Sequence, residues 1–157
     1  ESRGRVTTGL EPDGFTETYN GRFKHGGEFD WGRGVAVLRD GASRVTVPLH
    51  DNSWDMTSFS FNFAFVPPGA AGLDGYLANG LRFAHYRYTV AGRERMDTAV
   101  GPLQVLHIKK VLTAVDRRPF EMWLAMDRYY LPVRIRFTAK NGSVFVSEVT
   151  SISTGSP

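Results

Sequence analysis

The chain has 157 residues, of which 41% are hydrophobic and 13% aromatic, enough for about one domain with its own core. Its 19 Lys and Arg interleave with 16 acids for a net charge of +3, too even a mixture for the basic stripe of a nucleic-acid binder. The absence of Cys excludes disulfides, thiol catalysis and thiolate metal sites, and no apolar run reaches the roughly 18 residues of a membrane-spanning helix.

Abundant glycine (17) and Phe (11) point to a β-rich class. Residues 3–8 and 15–20 read as short strands separated by the turn set Glu11-Pro12-Asp13-Gly14. Asn20-Gly21 turns the chain, and His25-Gly26-Gly27 turns it again before a small strand at 28–31. Strands at 35–39 and 44–48 follow, joined at Asp40-Gly41, a strong hairpin signal. Residues 1–48 therefore form a meander of about five strands.

The aromatic stretch 51–65 carries two competing periods. Phe59, Phe61, Phe63 and Phe65 alternate as in a strand, while Trp54, Ser58, Phe61 and Phe65 share one helical face. Asp51 or Ser53 as N-cap, Asp55 in the first turn and Pro67-Pro68 as terminator favour a helix over about 53–65, buried widely enough to need a sheet beneath it.

Strand patterning resumes at 75–78, with a turn at Asn79-Gly80. Residues 82–91 alternate and continue through a bulge at Gly92 into 93–98, followed by 103–114. The segment 120–127 is apolar on both faces and suits a central strand, whereas Arg134-Ile135-Arg136-Phe137 alternates. Lys140-Asn141-Gly142-Ser143 reads as a two-residue hairpin turn, which sets Phe137 opposite Val146 and Arg136 opposite Ser147. A second five-strand meander thus occupies 82–152. The expected fold is a single mainly β domain over 1–157: an antiparallel curved sheet or open β-barrel of about ten short strands, with one apolar helix across it.

No motif for nucleophilic catalysis or phosphate binding is present. His50, Asp51 and Asp55 are better explained by helix capping than by a metal, and the scattered His25, His50, His85 and His107 have no third ligand at metal spacing, so neither metal nor cofactor is expected. Glu94 and Glu121 lie in apolar strands and need partners if buried; Arg134 and Arg136 are the obvious ones, giving structural ion pairs. The turn register puts Arg134, Arg136 and Phe145 on one face, and alternation puts Glu121 with Trp123. If these faces coincide, Trp123, Arg134, Arg136 and Phe145, with Phe61 of the helix, line a groove for an amphipathic ligand with an anionic head; the simpler alternative is a core face rimmed with arginines.

The set Val90-Ala91-Gly92-Arg93-Glu94, Thr98 to Leu103, Glu121-Met122-Trp123-Leu124-Ala125 and Tyr130 to Arg136 resembles a bacterial family, domain-of-unknown-function family 3108. Ser2-Arg3-Gly4, Gly9 to Pro12 with Phe15, Phe29-Asp30-Trp31 and residues 51–58 also match its pattern, so the resemblance covers nearly the whole chain. A Phe-rich segment stands at 58–65 where the family usually has a Leu-rich helix. The family has no agreed activity, so it transfers no functional residues. Its members look exported, which implies a periplasmic or envelope protein with further residues before Glu1.

At the level of fold, short strands around an apolar helix are similar to periplasmic lipoprotein-carrier barrels, and a shared fold does not fix function. The leading expectation is a non-enzymatic envelope module that binds or carries a lipid-like ligand. Behind it stand a structural or protein-interaction domain of an envelope assembly and, last, a glycan-acting enzyme using Glu94 and Glu121, for which no activating partner is visible.

Overall fold

The computed structural model describes residues 1–153. The chain divides into two compact units, Glu1–Val66 with Asp74–Tyr86, and Pro67–Leu73 with Arg87 onward. It is mainly β, with twelve strands and one short helix among the described residues, in two sheets. The mainly antiparallel β class read from the pattern is therefore correct. Each sheet runs from one edge strand to another without closing on itself.

In the first unit, β1 (Ser2–Val6), β2 (Leu10–Tyr19), β3 (Arg22–Asp30), β4 (Val35–Asp40) and β5 (Ser43–Pro48) form an antiparallel sheet in chain order. The expected five-strand meander is present, but two of its turns lie elsewhere. Glu11 to Gly14 belongs to the interior of β2, and the chain reverses at 7–9, where Thr7 N–H donates to the Gly9 carbonyl at 2.9 Å. Pro12 is accommodated because it faces Gly4 beside a register shift, a place where a missing N–H does not break the ladder. His25-Gly26-Gly27 is likewise inside β3. A Cβ on Gly27 would stand 2.7 Å from the Phe15 ring and 2.8 Å from Leu38 Cδ2, so glycine here makes room for the core. That core is Phe29, Ala36, Leu38 and Ala78, with Phe15, Trp31, Val45, Val47, Leu49 and Phe83 packed on it.

The helix is shorter than expected. Ser53–Asp55 forms β6, which pairs in parallel with β7 (Leu73–Asn79), and only Met56–Asn62 is helical, as α1. Pairing with β7 claims the backbone of Ser53, Trp54 and Asp55, and Asp55, rather than Asp51 or Ser53, becomes the N-cap. Its carboxylate accepts from Thr57 N–H at 2.9 Å and Ser58 N–H at 3.2 Å, and Ser58 Oγ closes a capping box. Burial is also narrower: Phe59 and Phe63 are essentially inaccessible, while Phe61 and Phe65 are 45% and 47% exposed. Asn62 Oδ1 accepts the Leu10 N–H at 2.8 Å and Trp54 Nε1 donates to the Leu10 carbonyl at 3.0 Å, fastening this segment to β2.

β8 (Arg82–Thr98) begins in the first unit and continues into the second, with the anticipated bulge between Val90 and Gly92. β9 (Gly101–Lys110), β10 (Phe120–Ala125), β11 (Leu131–Thr138) and β12 (Val144–Glu148) follow in antiparallel order, completing the second five-strand meander. β10 lies between β9 and β11, and five of its six residues are buried, as its two-sided apolar pattern demands. Met96, Leu103, Val105, Trp123, Ala125 and Val133 form the core cluster on one face.

The β11–β12 register differs from the expected one. Phe137 pairs with Phe145 and Arg136 with Val146, because the hairpin loop holds three residues, Lys140 to Gly142, and not two. Gly142 N–H donates to the Ala139 carbonyl at 3.0 Å and Gly142 has φ 84°, the left-handed residue of a three-residue turn. One residue of slip reverses the face of every β12 side chain.

Candidate functional site

β1 and β2 reverse tightly through Val6 and Leu10, and α1 lies alongside their strands. Ser2 to Val6, Leu10 to Pro12, and Thr57, Ser58 and Phe61 of α1 enclose a hollow of about 270 Å³. Thr57 and Phe61 are four apart and share a helix face, so once Phe59 and Phe63 are committed to the core, Phe61 faces outward at this hollow. Gly4 is required in its wall, because a Cβ there would stand 2.2 Å from the Glu11 carbonyl oxygen.

The rim is basic. Arg5 Nε pairs with Glu11 Oε2 at 2.7 Å, and that hydrogen bond raises the guanidinium pKa further above its ordinary value, leaving Arg5 charged at every working pH. Arg3 is exposed and has no ion-pair partner among the described residues. Val6, Phe65 and Val66 are 57%, 47% and 42% exposed, adding apolar surface to the same unit. Phe61, expected as a ligand contact, thus lines a hollow with an apolar wall and a cationic edge.

The other expected contacts lie in the second unit. Trp123 stands opposite Arg134 and Glu121 opposite Arg136, so the two faces inferred separately from the sequence do coincide. What they build is a ladder of mutually occupied groups. Arg136 Nη1 donates to Glu121 Oε1 at 3.2 Å, and His107 Nε2 meets Glu121 Oε2 at 2.8 Å. Trp123 Nε1 donates to Glu94 Oε1 at 2.6 Å, with His107 Nδ1 3.6 Å from the same oxygen. The His107 ring stacks on Trp123 with centroids 4.2 Å apart, and Arg134 lies over the indole at 5.6 Å while pairing with Glu148 at 2.6 Å.

Glu121 is the ion-pair partner of Arg136, as expected, whereas Glu94 answers to Trp123 and His107 and not to an arginine. Phe145 does not share the face of Arg134 and Arg136. The one-residue slip turns it to the opposite side, where it stacks on Phe137 with centroids 5.1 Å apart.

His107 is the residue that sequence reasoning left among scattered histidines. Strand alternation groups it with Val105 and Lys109, but the long connection between β9 and β10 hides which carboxylate it meets. His25 and His85 each have their own acid, Glu17 at 2.7 Å and Asp74, and His50 stacks on Tyr76 at 3.8 Å. The Lys24 hydrogen bond holds Glu17 below the usual carboxylate range, opposed by burial and assisted by His25. No group of three His, Asp or Glu side chains positioned for a metal ion occurs among the described residues.

A second, larger concavity of about 580 Å³ lies in the first unit, between β1 and the β3–β4 turn, with Asp13, Glu28, Asp30, Trp31, Arg33 and Arg44 around it. Among known proteins, the family profile described as "Protein of unknown function (DUF3108)" matches residues 1–150. No curated protein and no solved structure matches the chain.

Proposed function

We propose a binding role, with no chemistry performed on the ligand, for this chain, which belongs to the DUF3108 family of proteins of unknown function. The ligand is amphipathic and lipid-like: an apolar segment seats against Phe61 in the 270 Å³ hollow, and a polar head remains at the arginine rim. The observation that carries this reading is the outward-facing, 45% exposed Phe61 at a hollow walled by Val6, Leu10 and Pro12. Covering this ring contributes on the order of 1 kcal/mol. The volume lies near the lower end of small-molecule sites, roughly 300–1,000 Å³, and suits part of an acyl chain better than a whole lipid.

In this reading the Trp123–Arg134 ladder is structural, because its charged groups already satisfy one another. A cell-envelope location belongs to the proposal and is supported by the exported look of the family that the chain resembles; fractionation of the native gene product tests it, and recovery with cytosolic markers counts against it. The binding role is tested by a native mass spectrum of the purified chain before and after extraction with organic solvent. An extractable adduct of lipid mass, lost in Phe61→Ser, is the expected result; a clean spectrum after incubation with envelope lipids speaks against it.

A second reading, a protein-interaction module, is favoured by β12. All five of its residues are exposed, Val144, Phe145 and Val146 by about half, and this edge carries no Pro, Lys or bulge to deter pairing. Val146→Pro blocks strand addition there, and an envelope partner that still co-purifies with that variant does not use β12.

A further inference from the structure

The larger concavity has a composition that differs from the Phe61 hollow. Its charges balance: Arg5, Arg33 and Arg44 stand against Asp13, Glu28 and Asp30. A ligand carrying net charge of either sign would meet groups of its own sign in this lining. Arg33 and Arg44 have no side-chain ion pair among the described residues, so their guanidinium donors are free for a ligand. A hydroxyl group both donates and accepts, and an array of hydroxyls satisfies interleaved carboxylates and guanidiniums together.

Trp31 supplies the apolar wall that such a ligand also needs. Its ring is stacked on Phe29 with centroids 6.4 Å apart, and its Nε1 donates to the Pro12 carbonyl at 2.8 Å, so it is held in place before any ligand arrives. Val35 and Val37 also line the concavity. An apolar plane with a rim of mixed polar groups fits a sugar ring, which has C–H faces and a hydroxyl edge. The concavity, about 580 Å³, lies within the usual range for small-molecule sites.

The two concavities share part of their lining. Arg5 lines both, and Pro12 of the smaller one is the acceptor for Trp31 of the larger. We propose that the larger concavity binds an uncharged, polyhydroxylated headgroup, a glycan unit, so that the amphipathic ligand is of glycolipid type. The apolar half of this inference rests on the binding role proposed above; the sugar half rests on the charge-balanced lining and Trp31.

The test is a calorimetric titration of the chain with three decyl amphiphiles below their micelle concentrations: decyl maltoside, decyl tetraethylene glycol ether and decyl sulfate. All share the alkyl tail and differ only in the head. Decyl maltoside is expected to bind about tenfold more tightly than the other two, the equivalent of roughly 1.4 kcal/mol or one to two net hydrogen bonds. The double variant Arg33→Gln/Arg44→Gln, changed at exposed positions, is expected to lose that advantage while binding the glycol ether as before. Equal affinity for maltoside and glycol ether overturns the glycan headgroup and leaves the apolar site standing. Tightest binding of decyl sulfate overturns it in favour of an anionic head. Failure of all three to bind removes the apolar site and the inference with it.

Discussion

Asp55 gathers four donors on one carboxylate: Thr57 N–H, Ser58 N–H, Ser58 Oγ and, from β1, Ser2 Oγ at 2.7 Å. It starts α1 and at the same time ties that helix to the strand forming the other wall of the Phe61 hollow. Asp55→Ala is therefore expected to cost about 2–4 kcal/mol, a lost cap plus two orphaned hydroxyls, and Asp55→Asn distinctly less, since its amide oxygen can still cap. Chemical denaturation checks both; equal losses would mean that the cap contributes nothing. Asp116 allows a pH test. Burial pushes its pKa up, but the Lys110 hydrogen bond and charge, with the Arg118 N–H and charge, outweigh this and hold it below the ordinary aspartate value. With the folded pKa depressed, its contribution is complete above about pH 3.9 and is lost as pH falls through the lower folded value. Asp116→Asn should be less stable than the native chain by about 1–3 kcal/mol at neutral pH, with the gap closing toward pH 2. A gap independent of pH would contradict this assignment. The Glu121–Arg136 pair was legible in the sequence because an acid in an apolar strand beside two arginines has few other options. The role of His107 was not, since no local signal encodes the pairing of strands joined by a long connection.

At the scale of elements, alternation and turn residues located both meanders and the Gly92 bulge, all of them local properties of the chain. Three features escaped for one shared reason, that tertiary pairing overrode a local signal. Pro12 and Gly14 look like a turn but sit in β2; Gly26 and Gly27 look like a turn but make room for Phe15; Ser53 to Asp55 looks helical but pairs with β7. The β11–β12 hairpin adds a subtler miss, because Asn141-Gly142 serves a two-residue or a three-residue loop equally well and only the register distinguishes them. A double-mutant cycle settles that register in solution. Phe137 and Phe145, stacked 5.1 Å apart, should couple by about 0.5–1.5 kcal/mol, and Phe137 with Val146 by close to zero. Coupling to Val146 in place of Phe145 would restore the two-residue turn.

At the scale of the whole molecule, buried clusters among the described residues gather around Leu38 and Phe29 in the first unit and around Val105 and Trp123 in the second. Leu38→Ala should cost about 2–5 kcal/mol and accelerate native-state hydrogen exchange across β3, β4 and β5, where the side chain is fully buried. Unchanged protection in those strands would show that Leu38 does not organise them. The expected amphipathic groove resolves differently at this scale. Phe61 has a hollow of its own in the first unit, while Trp123, Arg134 and Arg136 close on one another in the second.

The most direct test is an amide chemical-shift titration of the isotope-labelled chain with decyl tetraethylene glycol ether below its micelle concentration. Binding at Phe61 predicts saturable shifts concentrated in residues 2–6, 10–12 and 57–61, abolished in Phe61→Ser. Shifts centred on Trp123, Arg134 and Arg136, or no saturable shifts at all, would contradict the proposed site.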